Sequence, residues 1–174
     1  KPENYGKKFY GPSTLRKGIE NSRNLMTIRI AQYLGMDKIS EIANRVEIMN
    51  DMPEVLSMAL GAGETTLINL TSAYASFVNG GKKIYPILID RIQDRRGKNI
   101  YLADLGTCLN CSQPFIEDSP VPVTEDKNMQ IFDPVNSYQM VSILEGVVLR
   151  GTGKKISSLD IPLAGKTGTT NKNT

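Results

Sequence analysis

The alternation of apolar and polar positions divides the chain into five helices and one hairpin. Lys1 to Gly11, with Tyr5, Phe9 and Tyr10 beside Gly6 and Gly11, reads as a loop pinned by aromatic rings. Pro12-Ser13-Thr14 opens the first helix, Leu15 to Asn21, because either hydroxyl can accept from the free N–H groups of a first helical turn. The pattern breaks at Ser22-Arg23-Asn24, a short turn, and resumes as the apolar helix Leu25 to Leu34, ended by Gly35. Asp37 is the expected cap of a third helix, Lys38 to Val46. Leu56 to Gly63 is apolar, small and glycine-rich, which suits a buried strand or a tight crossing near a site. Thr65 or Thr66 caps the fourth helix, Leu67 to Val78, whose apolar residues recur at helical spacing up to Gly80-Gly81. Ile84 to Gln93 alternates and is rich in isoleucine, Asp94-Arg95-Arg96-Gly97 is turn chemistry, and Lys98 to Leu102 returns, so a hairpin is expected. Asp104 to Thr124, with three prolines, reads as loop. Asp133-Pro134 is a cap followed by proline at the first helical position, and Val135 to Leu149 follows with Met140, Val141, Leu144, Val147 and Val148 for the core. Gly151-Thr152-Gly153 stops that helix, and Leu163 to Thr169 is expected as a strand whose far end faces a cleft.

Composition narrows the chemistry. The 174 residues suffice for one domain with a core, and 40% apolar with 22% charged residues is ordinary for a globular protein. A net charge of +3, alternating in sign, with only 6% aromatics argues against nucleic-acid binding. No apolar run reaches the ~18 residues of a membrane span. Histidine is absent, which excludes a Ser-His-Asp triad and any histidine metal site within this chain. Cys108-Leu109-Asn110-Cys111 is half a zinc site at most, and no further Cys or His completes it; in an oxidising compartment the pair could form a local disulfide, and a structural or incidental role outweighs redox chemistry. Neither a metal nor a cofactor is called for.

The stretch with chemical content is Gly165-Lys166-Thr167-Gly168-Thr169-Thr170. Lys166 supplies a cation, Gly168 lets a ligand backbone lie close, and Thr169 and Thr170 offer hydroxyls and N–H donors. Such a segment can hold a peptide carboxylate and a developing oxyanion. A phosphate-binding P-loop is rejected, because Asp160 stands where its first glycine belongs and Pro162 lies inside the loop. Acyl transfer without histidine needs lysine as its base. Ser22 has a plainer reading as the cap of the second helix.

Ser22-x-Asn24 followed by Lys166-Thr167-Gly168 resembles the motif pair of penicillin-recognising serine acyl-enzymes. Asn4-Tyr5-Gly6, Tyr10-Gly11-Pro12, Thr14-Leu15-Arg16, Ala59-Leu60-Gly61-Ala62, Ala73 to Gly81, Gly151-Thr152-Gly153 and Gly165 to Asn171 are similar to the bifunctional (class A) penicillin-binding proteins. The resemblance covers the chain apart from about residues 100 to 130. It implies an α+β fold, part of the penicillin-binding protein and serine β-lactamase-like transpeptidase fold, with an antiparallel sheet flanked by helices. It implies a partial transpeptidase domain over 1–174 with a hairpin and loop excursion at about 84–133.

The same resemblance implies a serine acyl-enzyme that cross-links peptidoglycan stem peptides and is acylated by β-lactams. Ser22 would relay a proton, Asn24 would bond the substrate backbone, and Lys166 would keep the field positive and orient Ser22. Thr169, with Thr167, would bind the terminal carboxylate beside Gly168, and the Thr169 N–H would be one oxyanion donor. The family's nucleophile motif is Ser-x-x-Lys, and no serine here is followed three residues on by lysine. The chain is therefore expected to be an excised piece, inactive alone and with the Lys166 segment at an open sheet edge. Its parent would be anchored in the bacterial inner membrane, carry a glycosyltransferase domain and place the catalytic domain on the periplasmic side. A β-lactamase or β-lactam sensor, or a non-catalytic binding domain, are the competing readings; the long interval between the motifs favours the penicillin-binding protein.

Overall fold

The computed structural model describes residues 3, 4, 6, 8–103 and 127–168. Five α-helices and one hairpin are present among them, an α+β arrangement. α1 is Leu15–Glu20, α2 Asn24–Leu34, α3 Met36–Arg45, α4 Leu67–Val78 and α5 Pro134–Arg150. β1, Arg91–Gln93, pairs antiparallel with β2, Asn99–Leu102. Two 3-10 turns, Met58–Leu60 and Lys154–Leu159, complete the described elements.

The helix starts follow local chemistry. Thr14 Oγ1 accepts from Lys17 N at 3.3 Å, and Thr66 Oγ1 accepts from Asn69 N at 3.2 Å. Asp133 Oδ1 accepts from Val135 N and Asn136 N, with Pro134 at the first helical position. Asp37 does not cap α3. It lies in the first turn, and the cap residue is Gly35 at φ 93°, which no other residue type adopts cheaply. With Gly35 shared as the end of α2 and the start of α3, the two helices form a tight corner.

Two further expectations are corrected. Leu56 to Gly63 is neither strand nor buried: it is a turn leading into the 3-10 helix, with Leu56 and Leu60 exposed. Its N–H groups bond to carbonyls three residues back, as at Met58 N to Val55 O, so the chain curls instead of extending. The hairpin exists but is short. Ile84 to Asp90 and Lys98 stay outside the strands, and a bulge falls between Ile92 and Gln93. The loop expected at Asp104 to Thr124, with Cys108 and Cys111, lies outside the described residues.

Two apolar centres hold the helices. Ala31 of α2 and Met36 and Ala43 of α3 cluster with Met52, flanked by Ile39, Ile48, Met49, Met58 and Ala59. The other centre is α5, which packs on α1, on α4 and on the second 3-10 helix. Val147 and Val148 are almost wholly buried and Leu144 nearly so. Phe77 of α4 stacks on Phe132, centroids 4.7 Å apart. An isolated antiparallel bridge, Lys82 with Gln130, joins the end of α4 to the approach of α5.

Candidate active site

α1 ends in a way that positions Ser22. Arg23 N donates to Gly18 O at 2.9 Å and Ser22 N to Ile19 O at 3.0 Å, the paired bonds of a Schellman motif. Ser22 is the left-handed residue of that motif, at φ 50°. Glycine is usual there, and a side chain costs ~1 kcal/mol. Ser22 does not cap α2: the cap residue is Arg23, whose side chain makes no capping bond. Its guanidinium lies 4.0 Å from the centroid of the Tyr10 ring and donates to Ser13 Oγ.

Ser22 Oγ instead accepts from Lys166 Nζ at 2.8 Å, a contact between residues 144 positions apart. Lys166 Nζ also donates to Thr167 O at 2.9 Å. Partial burial pushes the Lys166 ammonium below its ordinary range, because the charged form loses hydration. The described part of the expected strand, residues 163–168, is irregular. A strand needs a ladder of partners. Among the described residues this segment bonds through Gly165 N to Leu144 O of α5 at 3.2 Å, and through Thr167 Oγ1 to Thr152 Oγ1 at 2.7 Å.

The other site residues are arranged less closely. Asn24 opens α2, and its Nδ2 donates to Glu3 O at 3.2 Å. Asn4 Oδ1 accepts from Leu25 N at 3.2 Å, so the N-terminal segment is tied to the start of α2. A Cβ built at Gly168 would meet no atom within 4 Å, which leaves that face of the segment open. Thr169 lies outside the described residues. An apolar groove of about 450 Å³ between α4 and α5 runs up to Lys166, lined by Leu70, Tyr74, Phe77, Val141 and Leu144 among others. No group of three or more His, Cys, Asp or Glu among the described residues is placed to hold a metal.

Sequence reasoning missed the residue beneath Ser22. Glu20 is 3% exposed, and its carboxylate takes two bonds from Arg150, at 2.6 and 3.1 Å. Arg16 Nη1 stands 3.6 Å away and also donates to Ser142 O at 3.1 Å. The Arg150 hydrogen bonds hold the Glu20 carboxyl below its usual range against the opposing effect of burial. Arg16 and Glu20 are four apart on one helix, a spacing visible in the sequence. Arg150 lies 130 positions away, and no local signal points to it.

With this geometry in view, residues 2–174 match the penicillin binding protein transpeptidase domain. The chain belongs to that family. It is 42% identical over 173 residues to "Penicillin-binding protein 1A" of Rickettsia conorii, covering 98% of this chain and 22% of that protein. The crystal structure of Penicillin-Binding Protein 1A from Haemophilus influenzae superposes with a TM-score of 0.79 at 30% identity, covering 98% of this chain and 28% of that one. The D,D-transpeptidase domain of a peptidoglycan glycosyltransferase from Eggerthella lenta shares the fold, with a TM-score of 0.71 at 21% identity, covering 98% of this chain and 45% of that one. The chain thus spans about a fifth of the length of its Rickettsia relative.

Proposed function

We propose that these residues form part of the acyl-transfer domain of a peptidoglycan D,D-transpeptidase. The observation that carries the reading is the Lys166 Nζ to Ser22 Oγ hydrogen bond, which joins two motifs from opposite ends of the chain. An ammonium that donates to a hydroxyl leaves the hydroxyl's own proton free to be passed on. Ser22 is therefore equipped to relay a proton, and Lys166 to keep the site positive where charge develops.

The reaction proceeds in two balanced steps. A serine hydroxyl supplied by a Ser-x-x-Lys motif outside these 174 residues attacks the D-Ala–D-Ala carbonyl. The peptide C–N bond breaks, an ester forms, and D-Ala leaves with the proton delivered through Ser22. An amine on a neighbouring strand then attacks the ester, gives up its proton through Ser22, and releases the serine as the new amide forms. Asn24 uses Nδ2 on Glu3 O, and its Oδ1 accepts a substrate N–H. The Thr169 hydroxyl, with that of Thr167, binds the terminal carboxylate beside the open face at Gly168. The Thr169 N–H is one oxyanion donor. β-Lactams enter as mimics of the same substrate.

The larger setting we propose is a membrane-anchored protein with a periplasmic catalytic domain, a glycosyltransferase domain elsewhere in its chain, and residues 84–133 as an excursion from the transpeptidase domain; likeness to proteins called Penicillin-binding protein 1A is what supports it. No helix of the described residues is long and apolar enough to cross a membrane. The test is covalent labelling. The full-length protein is expected to retain a fluorescent penicillin after denaturation, and residues 1–174 alone are expected not to. Label retained by the isolated 174 residues would overturn the placement of the nucleophile.

A further inference from the structure

The Ser22–Lys166 contact joins two segments that have little hold on each other. Lys166 belongs to an irregular, largely exposed stretch, and Ser22 sits in a left-handed turn. Both are tied to the C-terminal half of α5 and the turn that follows it. On the Lys166 side, Gly165 N bonds to Leu144 O, and Thr167 Oγ1 pairs with Thr152 Oγ1. On the Ser22 side, Glu20 O accepts from Thr152 N at 3.1 Å, and the Glu20 carboxylate grips Arg150. Thr152 thus touches both segments, through its peptide N–H and through its hydroxyl.

The space around Glu20 is cut for a carboxylate. A Cβ at Gly146 would collide with Glu20 Oε1, and one at Gly151 would collide with Glu20 O. Gly146 on α5 thus leaves room for the Glu20 carboxylate, and Gly151, the cap residue of α5, leaves room for the backbone of α1. A buried ion pair is poor evidence for stability, since an apolar pair often serves as well, but its directional bonds fix an angle and a register.

We infer that Glu20 is a positioning residue for the transpeptidase site: through Arg150 and Thr152 it sets the distance between Ser22 Oγ and Lys166 Nζ. The inference rests on the transpeptidase reading above. A shift of about 1 Å at a relay of this kind is enough to slow a reaction by ~10²-fold, so modest slackening has a visible effect.

The test is a double-mutant cycle in the full-length protein, read as the second-order rate constant for acylation by a fluorescent penicillin, with melting temperature measured in parallel. Glu20→Gln is expected to slow acylation about tenfold in the otherwise unaltered protein, and less than about twofold when Ser22→Ala is already present, because coupled residues are not additive. A purely structural role would lower the melting temperature and slow acylation equally on both backgrounds, and that result overturns the inference. So does an unchanged rate in Glu20→Gln. If Glu20→Gln does not fold, Thr152→Ala asks the same question at an exposed side chain: about a threefold loss that vanishes on the Ser22→Ala background is expected, and no loss overturns the inference. A Ser22→Ala protein acylated at the full rate removes the transpeptidase reading, and this inference with it.

Discussion

The α1–α5 junction and the β1–β2 hairpin are held together by opposite means. At the junction the contacts that join separate elements are long-range: Glu20 reaches Arg150, Arg16 reaches Ser142, and Ser22 reaches Lys166. In the hairpin the bonds are local. Asp94 Oδ1 accepts from Arg96 N and Lys98 N, Gly97 turns at φ 79°, and Gln93 Nε2 donates to Asn99 Oδ1. Val147 beneath the junction is 1% exposed, while Leu88 before the hairpin is 92% and Ile100 in β2 is 71% exposed. A local turn can form a hairpin without a core. A contact between distant segments cannot form without one. Substitutions should therefore fall hard on one region and lightly on the other.

The largest effect is expected at Lys166. Lys166→Ala in the full-length protein should slow acylation by about 10²–10³, the usual loss for one preorganised electrostatic group, whereas Lys172→Ala, outside the motif, should change it little. Equal, small effects at both would dissolve the contrast. The pH dependence sharpens it. The charged ammonium is the form that donates to Ser22, so acylation should fall as pH rises through the lowered Lys166 pKa, earlier than an exposed lysine would allow. Stability should move the other way. Between the folded and unfolded values the unfolded chain binds more protons, so the contribution of this group to stability rises with pH across that window. Rate and melting profiles recorded together check the opposite slopes, and Lys166→Arg should lose the alkaline fall.

Next come the supports. Val147→Ala should cost ~2 kcal/mol in urea unfolding, as a cavity under the junction. Gly146→Ala tests a reversal of sign. Alanine normally stabilises a helix interior by about 1 kcal/mol over glycine, but here the new methyl meets the Glu20 carboxylate and Arg150, and a net loss of about 1–3 kcal/mol is expected. The smallest effect belongs to the other region. Leu88→Ser should stay within ~0.5 kcal/mol, and a larger loss in the full-length protein would show that its apolar face is covered there.

Much of the helical frame was legible because capping is local. Thr14, Thr66, Asp133 and the glycine at 35 announce themselves within four residues. Ser22, Asn24 and Lys166 were legible as motifs, and the folded chain brings Ser22 and Lys166 into contact. The failures share a cause. Whether residues 163–168 form a strand depends on partners, not on their own composition, and the described neighbours offer a helix carbonyl and a hydroxyl. The apolar character of Leu56 to Gly63 promised burial, but burial is a property of what lies opposite. Nothing near Glu20 in the sequence points to Arg150, because the two are 130 positions apart.

The bridge between Lys82 and Gln130 has a consequence for how this chain can vary in length. Lys83 N donates to Met129 O at 2.9 Å, Ile131 N and Phe132 N donate to Gly81 O, and Gln130 Nε2 donates to Gly80 O and Phe132 O. A Cβ at Gly81 would strike Phe132 O, so the two passes of chain lie against each other there. Residues 80–83 and 129–132, on either side of the intervening segment, are thus held against each other. Closing a loop over a fixed clasp becomes only slowly more costly with size, by ~0.6 kcal/mol for each doubling. Residues inserted into or deleted from the segment between the clasp points are therefore expected to cost little, while α5 stays where Asp133 starts it. Variation among relatives should collect between the clasp points, and an inserted peptide tag should be tolerated there and nowhere near α1 or α5.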